Sequence, residues 1–463
     1  MDTQSQIRTN TSLSSLKRTV QQFLAQHPDL QSIDLMLHDL SGTPRGKRLD
    51  ISQLLKVAEE GVCLPASIFA LDICGETVEE TGLGFEQGDG DRICQLLPHS
   101  LSLIPWQEPG CAQGLMTMVE RDGQTPFFAD PRQVLSQLLQ RQADLGIQWC
   151  VALELEFYLT DRESDENGLP QPPIAPQSQQ RMSQTQVYSL DDLDDYKAFL
   201  DDVIAACQIQ QVPAENMVAE YAPGQFEVNL HHQTDVLLAC DQALLLKRII
   251  KSVARQHGFG ATFMAKPYSD YAGNGCHVHI SALDAEGQNL FASEPLLLKQ
   301  AIAGLLAHLP DTMAILAPNA NSYRRFQPDM FVPMKPCWGW DNRTVAVRIP
   351  AGSEENTRIE HRVAGADANP YLLCAALLAS IESGIRQDLM PPDPVSGNAA
   401  ELPGELLPNT WSQALQLFSE SELLSQALGK DFCQVYAATK LAEMQRFDAQ
   451  VSPLEYQWYQ QLV

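Results

Sequence analysis

Apolar and polar positions alternate with a period of two in some stretches and recur every three to four residues in others. These two periods divide the chain into strands and helices. Leu13, Leu16, Val20, Phe23 and Leu24 recur at helical spacing and predict a short amphipathic helix. Ile33, Leu35 and Leu37 alternate with Asp34, Met36 and His38, and Ser41-Gly42 marks a turn before a second extended segment, Arg45 to Ile51. Mixed short elements continue to about Val119, so residues 13–120 read as a small α+β domain and residues 121–463 as a larger one. Asp130-Pro131 opens a helix whose stripe is Val134, Leu135, Leu138 and Leu139 and whose stop is Gly146. A strand follows at Val151 to Leu159, then a Pro- and Gln-rich loop from Gly168 to Gln186. Helices are expected over Ser189 to Gln208, from Thr234 towards Gly258, and from Asn369-Pro370 onward, with a loop from Pro391 to Pro408.

Four of the predicted strands carry unusual side chains. Residues two apart on a strand share a face, about 7 Å from each other. Val151, Leu153, Leu155 and Phe157 take one face of the first strand, and Glu154 and Glu156 share the other. In the second, Phe226, Val228 and Leu230 alternate with Gln225, Glu227 and Asn229, and Glu220 lies just upstream. The third shows His277, His279 and Ser281 against Val278 and Ile280, and the fourth Arg358, Glu360 and Arg362 against Ile359 and Val363. One such strand alone reads as a solvated surface. Four together, rich in carboxylates and arginines and poor in lysine, predict a site on an antiparallel sheet covered by helices on one side.

The chemistry of that face is specific. Glutamates with an imidazole form a hard, oxygen-rich donor set that suits Mg²⁺ or Mn²⁺ better than zinc. Two such ions can neutralise a triphosphate while arginines stabilise the transferring phosphoryl group. Gly273 and Gly275 let backbone approach a ligand closely. Other motifs fail. Gly42 to Arg48 has the wrong spacing for a phosphate loop, and no dinucleotide glycine fingerprint, helical zinc-protease pair or serine elbow is present.

Composition narrows the picture further. The chain has 463 residues, is 44% hydrophobic and carries a net charge of −27. That charge argues against nucleic acid or an anionic membrane as partner. The 11 cysteines lack CxxC spacing, so reduced thiols in a cytoplasm are expected. No apolar run is long enough to span a bilayer.

The stretch Lys266 to Ser281 is similar, position for position, to the ATP-region signature of the glutamine synthetase family. The strands around Glu154/Glu156, Glu220/Glu227 and Arg358/Glu360/Arg362, and the run Asn369-Pro370-Tyr371, resemble that family's other blocks. The resemblance covers nearly the whole chain. It implies a β-grasp-like N-terminal domain before a large catalytic domain. It also implies that Glu156, Glu220 and Glu227 hold one Mg²⁺ or Mn²⁺, and that Glu154, His277 and Glu360 hold a second. Lys266, Asn274, His279, Ser281, Arg348 and Arg358 would contact ATP, Arg343 would stabilise phosphoryl transfer, and Gly273, Arg325 and Arg362 would hold glutamate. The implied reaction joins glutamate to an amine through γ-glutamyl phosphate. The implied assembly is a double-ring homo-oligomer, a dodecamer, with each site between neighbouring subunits.

Departures from the family are as informative. Phe331, in Asp329-Met330-Phe331-Val332-Pro333, stands where the family places the glutamate that guards ammonium. Pro65-Ala66-Ser67-Ile68 stands for an Asp-Gly-Ser-Ser segment, Ala272 replaces a family asparagine, and no tyrosine between Tyr371 and Tyr436 matches the adenylylated one. Apolar surface at Phe331 favours an alkylamine, by about 0.8 kcal/mol for each buried CH₂. Trp338 and Trp340 offer cation–π contact or are ordinary core. Asp72 is a candidate proton acceptor from a neighbouring subunit. The pattern Phe69-Ala70-Leu71-Asp72, the run Arg324 to Pro333 and the segment Val363-Ala364-Gly365-Ala366-Asp367-Ala368 look most like the γ-glutamylputrescine synthetase branch of the family. Another amine such as ethanolamine, a monoamine, ammonium itself, and a non-catalytic scaffold stand as alternatives.

Overall fold

The computed structural model describes residues 3–107, 110–184, 186–328 and 330–463, with side chains from residue 15 onward. The Leu13 side chain and Asp329 lie outside the described residues. The first helix, Thr3–Gln26, is longer than its apolar stripe. Val20 is fully buried on it, and Leu16, Phe23 and Leu24 pack against the same core as Ile33, Leu35, Phe69 and Met118. That core lies on a 6-stranded sheet with the order Pro44–Asp50, Ser32–His38, Cys111–Val119, Asp91–Leu96, Val62–Pro65, with Ser102–Leu103 paired to Cys111–Val119. The pair Ser32–Met36 with Cys111–Leu115 is parallel and the others are antiparallel.

The second sheet has 8 strands. Its order is Trp338–Trp340, Val347–Ile349, Ile359–His361, Cys276–Leu283, Gln148–Thr160, Gln225–Leu230, Ala214–Ala219, with Gly260–Thr262 paired to the end of Gln148–Thr160. The expectation of an antiparallel sheet needs one correction: the edge pair Trp338–Trp340 and Val347–Ile349 runs parallel. The apolar positions Leu153, Leu155, Phe157, Val228, Val278, Ile280 and Ile359 all face one core. The helices Val236–Gln256, Pro295–Leu316 and Pro370–Arg386 fill that core with apolar residues. The last two cross where glycines face each other. A Cβ on Gly304 would lie 2.1 Å from the Ser380 carbonyl, and one on Gly384 2.1 Å from the Gln300 carbonyl, so only glycine allows this approach.

One smaller difference has a local cause. The expected helix Ser189–Gln208 breaks into Leu190–Asp195 and Lys197–Ile209. Tyr196 at the break is 1% exposed and packs edge-on against Phe226 and Phe259, which pulls it out of helical register. A buried polar clamp also joins the two halves. Asp241, 1% exposed, accepts from Arg132 at 2.9 and 3.0 Å and from the Tyr371 hydroxyl at 2.5 Å, and meets His99 Nε2 at 3.0 Å. Burial opposes its charge, but His99 and Arg132 prevail and hold its carboxyl below the usual range.

Candidate active site

Strand register decides which polar side chains meet. Glu154 lies opposite Asn229 on one side and His277 on the other, and Glu156 lies opposite Glu227. His279 lies opposite Glu360. Glu220 follows the strand Ala214–Ala219 and joins the same face. Donor atoms of Glu156, Glu220 and Glu227 fall within 4.8 Å of one another, as do those of Glu154, Glu227 and His277, and those of Glu154, His279 and Glu360. The structure thus groups Glu154 with His277 and with Glu360 separately. The expected trio Glu154, His277 and Glu360 is not one close group among the described residues. Arg348 donates to Glu360 at 2.7 Å and Arg362 donates to its other oxygen, so both oxygens of that carboxylate are engaged by arginines.

The charges on this face are strained. Burial and the negative charge of Glu154, Glu156 and Glu220 push the Glu227 carboxyl up to about 9. Burial and Glu156 push Glu220 up to about 7, with Glu154 adding to the effect and Arg343 opposing it. Burial also opposes ionisation of Glu154, but hydrogen bonds from His277 at 3.0 Å and His279 at 2.7 Å hold it well below the usual range. Glu360 is likewise lowered against its burial, by Arg362, His277, His279 and Arg348. A buried carboxylate cluster with raised members is short of positive charge. Its hard oxygen donors and imidazoles fit divalent cations such as Mg²⁺ or Mn²⁺.

A glycine loop and two buried arginines border the cluster. A Cβ on Gly273 would lie 2.4 Å from the Ala265 carbonyl and 2.8 Å from Arg325 Cγ; one on Gly275 would lie 2.8 Å from Arg325 Nη2. The Gly275 N–H donates to Glu156 at 2.5 Å. Arg325 donates to the Val363 carbonyl at 2.7 Å, and its Nε has no partner among the described residues. Arg362 also keeps an unpartnered Nε. Buried guanidinium groups with free donors are ready to take an anionic substrate.

Several expected nucleotide contacts are spent inside the protein. Asn274 is fully buried; it donates to the Met264 carbonyl at 2.8 Å and accepts from Gln225 at 3.1 Å. It fastens the loop and has no face open to a ligand. Lys266, 4% exposed, donates to the Tyr271 carbonyl within its own loop. His279 Nδ1 accepts from Arg358 at 3.1 Å, and Ser281 donates weakly to the Thr357 carbonyl at 3.4 Å. Arg348 bridges Glu360 and Asp341.

Arg343 is exposed and Phe331 is 59% exposed, with a positive φ of 52° in its loop. Trp338, expected at the amine, is instead 4% exposed, and its indole N–H donates to the Pro392 carbonyl at 2.7 Å. Trp340, 57% exposed, is the open ring of the pair. Asp72 is 5% exposed and bound by Arg446 at 3.0 Å, apart from the carboxylate cluster.

Sequence reasoning missed Asn321, which brackets Lys266 by donating to its carbonyl at 2.8 Å and accepting from its N–H at 2.9 Å. Its place in Asn321-Ser322-Tyr323-Arg324-Arg325, beside an expected ligand residue, was the available signal. His361 points to the core side, where burial pushes it down to about 3, so it stays neutral and outside the site.

A family model described as "Glutamine synthetase, catalytic domain" matches residues 128–459. Gamma-glutamylputrescine synthetase PuuA of Escherichia coli is 46% identical over 96% of this chain and 95% of that protein. Gamma-glutamylethanolamide synthetase GlnA4 of Streptomyces coelicolor is 32% identical over 92% of each. A solved structure titled "Apo GmaS without ligand" superposes with a TM-score of 0.82 at 26% identity, covering 95% of this chain and 98% of that one.

Proposed function

This chain belongs to the glutamine synthetase family, and we propose that it is an ATP-dependent ligase joining the γ-carboxyl of glutamate to putrescine or a related polyamine. The observation that carries this reading is the meeting of Glu154, Glu156, Glu220, Glu227, His277, His279 and Glu360 on one sheet face, bordered by Arg325 and Arg362. Glu156, Glu220 and Glu227 would hold one Mg²⁺ or Mn²⁺, and Glu154, His277 and Glu360 would hold a second once Glu360 turns from Arg348. Bound there, the ions would supply charge neutralisation for the phosphates of ATP.

Arg325 and Arg362 orient glutamate, with Gly273 leaving room for it. Its γ-carboxylate oxygen attacks the γ-phosphorus of ATP, the bond to the bridging oxygen breaks, and ADP leaves. Arg343, free at the rim, stabilises the charge that spreads over the transferring phosphoryl group. Arg348, Arg358, His279 and Ser281 line the nucleotide side. The neutral amine then attacks the acyl carbon, phosphate leaves, and the amine nitrogen loses a proton. Asp72 serves as acceptor only when presented by a neighbouring subunit and released from Arg446.

Amine choice follows from Phe331. An exposed phenyl ring where an acid would hold ammonium favours methylenes over a bare ion. Trp340 adds an open ring nearby in sequence. Exposed apolar side chains at Leu454, Tyr456, Trp458 and Leu462 support self-association, and we place the subunit in a double ring of twelve. The 11 cysteines are free thiols, which fits a reducing compartment, the cytoplasm. No helix among the described residues is long and apolar enough to cross a membrane. The test is ADP release with glutamate and a panel of putrescine, spermidine, ethanolamine, isopropylamine and ammonium. Putrescine or spermidine is expected to lead; ammonium used far better than any alkylamine would overturn the amine assignment.

A further inference from the structure

A second cavity is lined by none of the carboxylates or imidazoles of the acidic face. That cavity has a volume of about 870 Å³ and lies between the turn Ser41–Pro44, the helix Val236–Gln256 and the segment 318–321. The helix sends Lys247, Lys251 and Arg255 into its wall. Their spacing of four stacks them on one stripe, where like charges repel.

None of these three has a carboxylate partner among the described residues. Lys247 donates to the Ala368 carbonyl at 3.1 Å, and Arg255 to the Lys251 carbonyl at 3.1 Å and the Ser252 hydroxyl at 3.2 Å. The Lys247 and Lys251 ammonium groups sit 5.7 and 5.6 Å from the centroid of one ring, Phe263. Arg248 beside them is paired with Asp34. A chain with 58 acids and 31 bases has acids to spare, yet this stripe has none.

A second observation points to a ligand. Trp411 lines the same cavity, is 7% exposed, and its indole N–H has no partner among the described residues. A buried donor left unpaired is costly unless something in the cavity accepts from it. Asp367 on the wall is an acid whose Oδ1 has no partner among the described residues, a negative charge that the three cations must outweigh. Its other oxygen accepts from Asn319 at 2.8 Å and Ser322 at 2.6 Å. Asn319 and Asn321 both line the cavity, and Asn321 brackets Lys266 of the glycine loop. The segment runs on directly to Arg325.

We propose that this cavity binds a small multivalent anion, a phosphate or a carboxylate, through Lys247, Lys251, Arg255 and the Trp411 indole. The occupant acts as an effector, because the wall it presses on positions the glycine loop and Arg325. The binding claim is independent of the ligase reading; the effector claim rests on it.

The test is isothermal titration of the full-length assembled enzyme with ADP and Mg²⁺ saturating the acidic face. One arm uses inorganic phosphate and the other succinate, and the arm that binds identifies the source of the anion. About one anion per chain is expected in at least one arm. The double variant Lys251→Gln, Arg255→Gln should bind at least about tenfold more weakly. Trp411→Phe keeps the packing and should weaken binding without lowering the melting temperature of the anion-free protein. Basal ADP release by the double variant should match the parent. No binding in either arm, or equal affinity in parent and double variant, overturns the proposal whatever the amine panel returns.

Discussion

Replacing Glu227 with Gln removes one charge from the carboxylate cluster and preserves its shape. Glu227 is 8% exposed, and its burial and acidic neighbours push its carboxyl up to about 9, against an ordinary 4.5. Between those two values the unfolded chain holds the group ionised and the folded chain holds it protonated. Folding then takes up a proton, so stability falls as pH rises through this window. At pH 7, about 2.5 pH units above the ordinary value, the penalty is on the order of 3 kcal/mol, at roughly 1.4 kcal/mol per unit. At pH 4.5 and below it vanishes. The amide carries no such penalty. Metal-free Glu227→Gln should therefore be more stable than the parent at pH 7, by up to about 3 kcal/mol, with the gain nearly gone at pH 5. With Mg²⁺ or Mn²⁺ the order reverses, because the parent keeps a charged donor for the ion. Denaturant unfolding with chelator and with excess Mg²⁺, at pH 5 and pH 7, reads all four cases. A metal-free variant less stable than the parent at both pH values, with an undiminished Mg²⁺ effect, would refute the reasoning.

Other changes probe the surroundings. Gly273→Ala drives a methyl group against the Ala265 carbonyl and Arg325 Cγ. It should cost about 1–3 kcal/mol in unfolding assays and raise KM for glutamate more than KM for ATP. Asp241→Ala leaves Arg132 buried with no carboxylate, and calorimetry should show a loss of about 3–5 kcal/mol. Phe331→Glu places an acid on the exposed loop position. Steady-state ADP release should shift from putrescine towards ammonium, and an unchanged amine ratio would remove Phe331 from amine selection.

Much of the second sheet was legible because its strands alternate cleanly. Glu154 and Glu156 sit opposite a face made of Leu153, Leu155 and Phe157, and the same rule placed Glu227, His277 and His279. Alternation reports a face but not a register. It could not say that Glu154 lies between Asn229 and His277, or that His279 reaches Glu154 at 2.7 Å. It also treats a strand end like its middle. Trp338 and Trp340 share parity, but their three-residue strand lies at the sheet edge, so one ring is buried and the other stays open. Asn274 escaped for another reason. Its use is a set of hydrogen bonds to Met264 across its own loop and to Gln225 on another strand, and alternation along a strand encodes neither. The Asp241 clamp is of the same kind, since its partners His99, Arg132 and Tyr371 are far apart in sequence.

Separated acids and an imidazole converge on one sheet face, placed to hold paired divalent ions beside a nucleotide. Anomalous scattering from crystals grown with Mn²⁺ and ADP tests that placement most directly. Two strong peaks are expected, one among Glu156, Glu220 and Glu227 and one at Glu154, His277 and Glu360, with Glu360 swung away from Arg348. Manganese bound elsewhere, or none at these carboxylates with ADP present, would contradict it.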